Sequence, residues 1–265
     1  MLYQIDRQFE NQQIRIPIRT GQPQRMVIKV KHFRKPYTYY FDTAPIIKGE
    51  DAFVVKIPKM PASVIVELYN EKNGNTQYDS SFQVGNITSS PIVMSFSATQ
   101  IVDPLVASFA RFLDEFAENA GILSAQNSIY ISPDGKFEIH YLDVIRDEKG
   151  NPMRTPARVN GKTKVMEFAK KYLAQYSVPA RKWIGWHEFS HVWKNKVQSN
   201  EMEADKNAIM IYLALGNPTI EAYNGVLRIF KNSPSDLNRK RYDELNLFIR
   251  KATQKLNNPQ IKEAA

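Results

Sequence analysis

Hydrophobic and polar positions alternate in short runs through the first hundred residues. β-Branched and aromatic side chains gather at Ile14–Ile18, Met26–Lys31, Tyr37–Asp42, Phe53–Pro58, Val64–Asn70, Ser81–Ile87 and Ile92–Ser97, with turn-forming residues between them. A period of two in runs this short predicts strands. Their recurrence every 8–12 residues or so, about seven times, predicts a β-sandwich. Pro17, Pro36, Pro45, Pro58, Pro61 and Pro91 punctuate the runs or sit on edges, where a missing N–H does no harm.

Beyond residue 100 the period lengthens. Asp103-Pro104 reads as a helix cap and first helical residue. Leu105, Phe109, Phe112, Leu113 and Phe116 fall on one side of a helix from Leu105 to about Ala120, which Gly121 ends. Ser128–Ser132 and Phe137–Ile145 flank the turn Pro133-Asp134-Gly135 and predict a hairpin. Thr155–Val159 and Lys164–Phe168 predict another around Asn160-Gly161, the dipeptide most typical of two-residue hairpin loops. Ser177 and Pro179 begin a further helix. Ser199 or Asn200 caps the next, through Ala204, Ala208, Ile211, Tyr212 and Leu215, which Gly216-Asn217-Pro218 stops. Thr219–Lys231 and Pro234–Leu256 are amphipathic and predicted helical, and the polar residues after them are expected to fray. The chain therefore reads as α+β: a strand-rich part over residues 1–100, a mixed part over 101–265 ending in helices.

Composition narrows the class. At 265 residues the chain can bury a sizeable core. With 43% hydrophobic and 24% charged residues it is globular rather than disordered or fibrous. It has no cysteine, which excludes disulfides and thiolate metal sites. No apolar run approaches the roughly 20 residues a bilayer span requires, and Met1–Arg7 lacks the apolar core of a signal peptide. A net charge of +9 raises the question of an acidic partner. The basic residues are scattered, however, from Arg15, Arg19 and Arg25 to Lys240, Arg250 and Lys251, and no nucleic-acid motif accompanies them. Solubility, or an acidic protein neighbour, is the expected meaning of the charge, and nucleic acid is not the expected partner.

One segment carries chemistry. His187-Glu188-Phe189-Ser190-His191 is an HExxH pentapeptide holding two of the four histidines. On a helix, positions i and i+4 share a face, so both imidazoles can meet one metal ion. The glutamate between them can take a proton from water activated by that ion. Zinc suits such donors, but a catalytic zinc takes three protein ligands and keeps one position open. Manganese, cobalt or nickel could occupy the same donors. The acidic segment Glu201-Met202-Glu203-Ala204-Asp205 lies ten residues on and is the source of the third. The flanks Trp183-Ile184-Gly185-Trp186 and Val192-Trp193 make the helix apolar nearly all round, as in a buried helix. Imidazoles and a carboxylate placed there need a partner, and a cation satisfies them together. His32 is expected to be exposed and His140 to lie on a strand face.

His187-Glu188-x-x-His191 followed by Glu201-x-x-Ala204-Asp205 resembles the gluzincin metallopeptidases, over about Val159 to Gly216. The resemblance implies a zincin-like metallopeptidase domain over 101–265 with Zn2+ on His187, His191 and Glu201. It makes Glu188 the general base and Asp205 the carboxylate that orients a ligand histidine. Glu201 and Asp205 are themselves i and i+4, while Glu203, two residues from each, points elsewhere on the helix. A linker of nine residues between His191 and Glu201 is shorter than in many gluzincins. For the side chain that holds the oxyanion, Tyr212, Tyr223, Arg239, Arg241 and Tyr242 are candidates by type only. In zincins an edge strand beside the helix receives substrate as a further strand, a part expected of Phe137–Ile145 or Lys164–Phe168.

The chain as a whole also resembles zincin-bearing tail or neck ring proteins of crAss-like bacteriophages. That resemblance implies a virion or host-cytoplasmic location and a homo-oligomeric ring, or virion neighbours, contacted through residues 1–100. Two functions are thus expected: a zinc peptidase acting on a peptide or protein, or a structural ring subunit whose zincin-like domain is a building block.

Overall fold

The computed structural model describes residues 1–35, 37–76, 78–92, 103–123, 128–232 and 235–257. The chain is mixed α and β: a large antiparallel sheet, a smaller four-stranded sheet and, among the described residues, six helices. It divides into two compact units, residues 1–93 with Gly216–Pro218, and residues 94–215 with 219–265. The expected boundary near residue 100, and the predicted strand Ile92–Ser97 beyond Ile92, lie outside the described residues.

The first unit contains β1 (Leu2–Asp6), β2 (Gln12–His32), β3 (Tyr39–Thr43), β4 (Ile46–Ile57), β5 (Ser63–Asn70), β6 (Phe82–Val84) and β7 (Thr88–Pro91). Period-two patterning is clearest in β5, where Val64, Val66 and Leu68 are buried, and in β2, which buries Ile14, Ile16, Ile18, Met26, Ile28 and Val30. Two predicted strands, 14–18 and 26–31, prove to be one strand of 21 residues. Gly21-Gln22-Pro23 reads as a turn, but the chain absorbs it as an irregularity: pairing with β4 slips between Thr20 and Gln24 and then resumes. The strands expected to form a sandwich join into one hydrogen-bonded network because β2 is long enough to pair with two sets of partners. The first half of β2 pairs with β4, β6 and β7, and its second half with β5 and β3. β1 has no buried side chain, which is why its pattern escapes a reading based on burial.

The second unit contains α1 (Pro104–Asn119), β8 (Ser128–Ile131), β9 (Glu138–Leu142), β10 (Ala157–Val159), β11 (Met166–Ala169), α2 (Lys170–Leu173), α3 (Val178–Trp193), α4 (Glu201–Ala214), α5 (Thr219–Asn232) and α6 (Asp236–Asn257). Its sheet runs β10-β11-β9-β8, with β9 and β11 parallel and the other pairs antiparallel. This corrects the expected edge strand. β9 and β11, within Phe137–Ile145 and Lys164–Phe168, are interior, and the edges are β8 and β10. The turn at Asn160-Gly161 is also longer than two residues. It spans 160–165, and Lys164 rather than Gly161 takes the left-handed conformation, at φ 62°.

α3 is the central element. Ser177 caps it, accepting from the Ala180 N–H, and every residue from Val178 to Trp186 is buried. Phe109 of α1 stacks on Phe189 with ring centroids 4.7 Å apart and meets Trp186 edge-on at 5.0 Å. Two cations lie in this apolar surrounding, each with partners. Arg181 donates to the carbonyls of Ala117, Leu173 and Ala174, and Lys182 Nζ lies 2.7 Å from Asp114. Burying a guanidinium is tolerable only when its N–H groups are satisfied in this way. A rigid, fully packed α3 gives its last turns a fixed orientation, and the histidines are there.

Candidate metal centre

His187 and His191 leave α3 one turn apart on the same face, and their Nε2 atoms are 3.0 Å from each other. Each ring is fixed through its other nitrogen. His187 Nδ1 lies 2.8 Å from Asp205 Oδ1, close enough to bond though angled away from the ideal line. His191 Nδ1 lies 2.6 Å from the Gln198 carbonyl oxygen. Acceptors at both Nδ1 positions favour a proton there, so that in the neutral rings the facing Nε2 atoms are the ones that can donate electron pairs.

α4 supplies the acids. Asn200 caps it by accepting from the Glu203 N–H, so Glu201 starts the first turn and Asp205 lies one turn on. Glu201 Oε2 is 3.5 Å from His187 Nε2, and Oε1 is 3.5 Å from His191 Nε2. Among the described residues, His187, His191 and Glu201 each offer a ligand atom within 4.8 Å of the others, a group that could hold a metal ion. Glu203 accepts from the Lys196 N–H instead. Asp205 is fully buried.

The three donors fit a small divalent cation. Ligand bonds of about 2.0–2.2 Å in a tetrahedron place donor atoms about 3.3–3.6 Å apart; here the two imidazole nitrogens are 3.0 Å apart, each has a different Glu201 oxygen at 3.5 Å, and one donor atom from each residue lies within 4.8 Å of the others. Imidazole nitrogen and carboxylate oxygen also suit several transition metals besides zinc.

Electrostatics follow from the crowding. Burial opposes a charge on His187, but hydrogen bonds with Asp205 and Glu201 outweigh it and raise its pKa to about 10. His191 moves the other way, through burial and the neighbouring His187. The hydrogen bond with His187 takes Glu201 down to about 2, against the effect of burial. Glu188 is buried, and burial raises its carboxyl to about 7, opposed by His187 and by a hydrogen bond from the Val159 backbone N–H.

A cavity of about 480 Å³ opens beside these groups, walled by Pro156, Tyr172, Tyr176, Trp183 and Ile184. On the other side a groove runs between the centre, β10 and the linker at Val197–Ser199. β10 presents the outer main-chain groups of Ala157 and Val159 to that side, since its pairing to β11 uses Pro156, Arg158 and Asn160.

Of the oxyanion candidates, Tyr212 is fully buried in the core, and Tyr223 and Tyr242 pack against that core. Arg239 is exposed. Arg241 does reach the centre, where it contacts Asp205 and Glu201. His140 sits on β9 with Glu138 2.5 Å from its Nε2. The Gln198 carbonyl, the Val159 N–H and the aromatic wall from Tyr172 and Tyr176 are missed by sequence reasoning, because main-chain acceptors and cavity walls leave no spacing signal. Comparison with known protein families, with curated proteins and with solved structures finds no match to this chain.

Proposed function

We propose that the second unit is a zincin-like metallopeptidase of the gluzincin kind. The observation that carries this is the meeting of His187 Nε2, His191 Nε2 and the Glu201 carboxylate at spacings suited to one small cation, beside a buried glutamate. His187, His191 and Glu201 would hold zinc, which when bound supplies a Lewis acid that polarises a peptide carbonyl and acidifies water.

The chain's own groups do the rest. An extended peptide pairs along the outer edge of β10 at the Ala157 N–H and the Val159 carbonyl, the Val159 N–H being held by Glu188. One side chain next to the scissile bond enters the cavity walled by Tyr176, Trp183 and Ile184. Glu188 accepts the proton of the attacking water on its carboxylate. As the water oxygen bonds to the carbonyl carbon and the C–N bond breaks, Glu188 returns that proton to the leaving amine. A pKa near 7 leaves it able to do both at neutral pH. Asp205 and the Gln198 carbonyl keep the two imidazoles from turning.

The test joins metal analysis to one substitution. Protein purified without added metal is expected to carry about one equivalent of zinc. Glu188→Gln is expected to retain that zinc and to lose peptide cleavage by about 10²- to 10⁴-fold. A wild-type chain that neither carries nor takes up a divalent metal, or a Glu188→Gln variant as active as its parent, removes this reading.

A further inference from the structure

We infer that Arg241 is a positioning residue of the metal centre: from α6 it grips the third donor, Glu201, and the buried partner of His187, Asp205, at once. The inference rests on the metal-binding reading above. Glu201 is the first residue of α4, its side chain is 48% exposed, and it follows the exposed segment Lys196–Asn200. A carboxylate so placed has several rotamers open to it, while a useful donor must keep the one that faces both imidazoles. The histidines are already held through their Nδ1 atoms. Arg241 does the same for Glu201. Its Nη2 lies 3.1 Å from Glu201 Oε2 and 2.7 Å from Asp205 Oδ2, its Nε lies 3.0 Å from that same Oδ2, and its side chain is 13% exposed.

Because Glu201 and Asp205 are one turn apart on one face of α4, a planar guanidinium can engage both with its rigid fork, which a lysine ammonium cannot reproduce. Asp205 is fully buried, so an uncompensated change at Arg241 would strand a charge in the core.

Arg241→Lys keeps the charge and removes the fork, which makes it the informative variant. Zinc affinity, measured by competition with a chromophoric chelator, is expected to fall about 10- to 100-fold. The visible absorption bands of the cobalt-loaded variant should shift, while the circular dichroism of the metal-free protein stays as in wild type. In a Glu201→Gln background the same Arg241→Lys change should cost less than in the wild-type background, because only the contact with Asp205 remains to be weakened. Unchanged zinc affinity and cobalt spectrum in Arg241→Lys overturn the inference. So does an equal loss with and without Glu201, the mark of a general structural effect. If Arg241→Lys does not fold, Arg241→Gln is put through the same cycle and judged by the same two outcomes. A wild-type protein that binds neither metal defeats the underlying metal reading, and that result is distinct from either of these.

Discussion

The protonation of His187 decides how the centre meets a cation. Its folded pKa of about 10 lies above the value of 6.5 for a free imidazole, because Asp205 and Glu201 favour the charged ring over the cost of burial. At neutral pH the metal-free protein therefore carries a proton on this proposed ligand. His191 is shifted down, toward the neutral form, and Glu201, at about 2, is ionised. A metal must then displace about one proton, and apparent affinity should rise roughly tenfold per pH unit below about pH 10. Calorimetric titration with zinc in buffers of different ionisation enthalpy, at pH 6, 7 and 8, checks both the release and the slope. Affinity flat across that range would mean that His187 is not the protonated ligand. The same shift sets the stability of the metal-free fold. A raised imidazole pKa favours the folded state fully below about 6.5, and the contribution fades as pH rises through about 10.

At the scale of elements, α3 owes its placement to contact that a side chain at one position would break. A Cβ at Gly185 would lie 2.3 Å from Leu113 Cδ1 and 3.2 Å from its Cγ. Leu113 is itself buried in α1, beside Phe109 and Phe112, so it has little room to withdraw. Replacing glycine by alanine in a helix gains about 1 kcal/mol in propensity, while overpacking a filled core costs about 1–3 kcal/mol. The clash should win at this depth, and Gly185→Ala is expected to lower stability by up to about 2 kcal/mol, read as a lower urea midpoint with unchanged slope. A higher midpoint would show that α1 can give way. The α3 and α4 segments were open to sequence reasoning for a local reason: caps at Ser177 and Asn200, and paired histidines four residues apart, are features of neighbouring residues. Long-range pairing was not. Which strand of the smaller sheet forms its edge depends on strand order, which periodicity does not encode, and so β10 was passed over for its neighbours. Gly21 and Pro23 carry turn chemistry, but a strand paired on both sides absorbed them. Arg241 stands 36 residues from Asp205 in sequence, and its type alone pointed to the oxyanion rather than to the carboxylates it holds.

The two units of the whole molecule should respond differently to metal. All residues of the proposed centre, with the edge strand and Arg241, belong to the second unit. Among the described residues the first unit offers no comparable group of three donors. A ligand that binds only the folded form stabilises by an amount that grows with its concentration over Kd, about 2.7 kcal/mol at a hundredfold excess. That free energy acts on whatever unfolds together with the site. Chains of two compact units need not unfold in a single step. Scanning calorimetry of the zinc-loaded and chelator-treated protein is therefore expected to show one transition moving to lower temperature on metal removal while another stays in place. Readdition of zinc should restore the first. Assigning them requires one variant: Gly185→Ala, placed in the core of the second unit, should lower the same metal-sensitive transition and leave the other alone. If metal removal shifted every transition equally, the units would be unfolding as one cooperative body. If it shifted none, the cation would not be bound by folded residues at all.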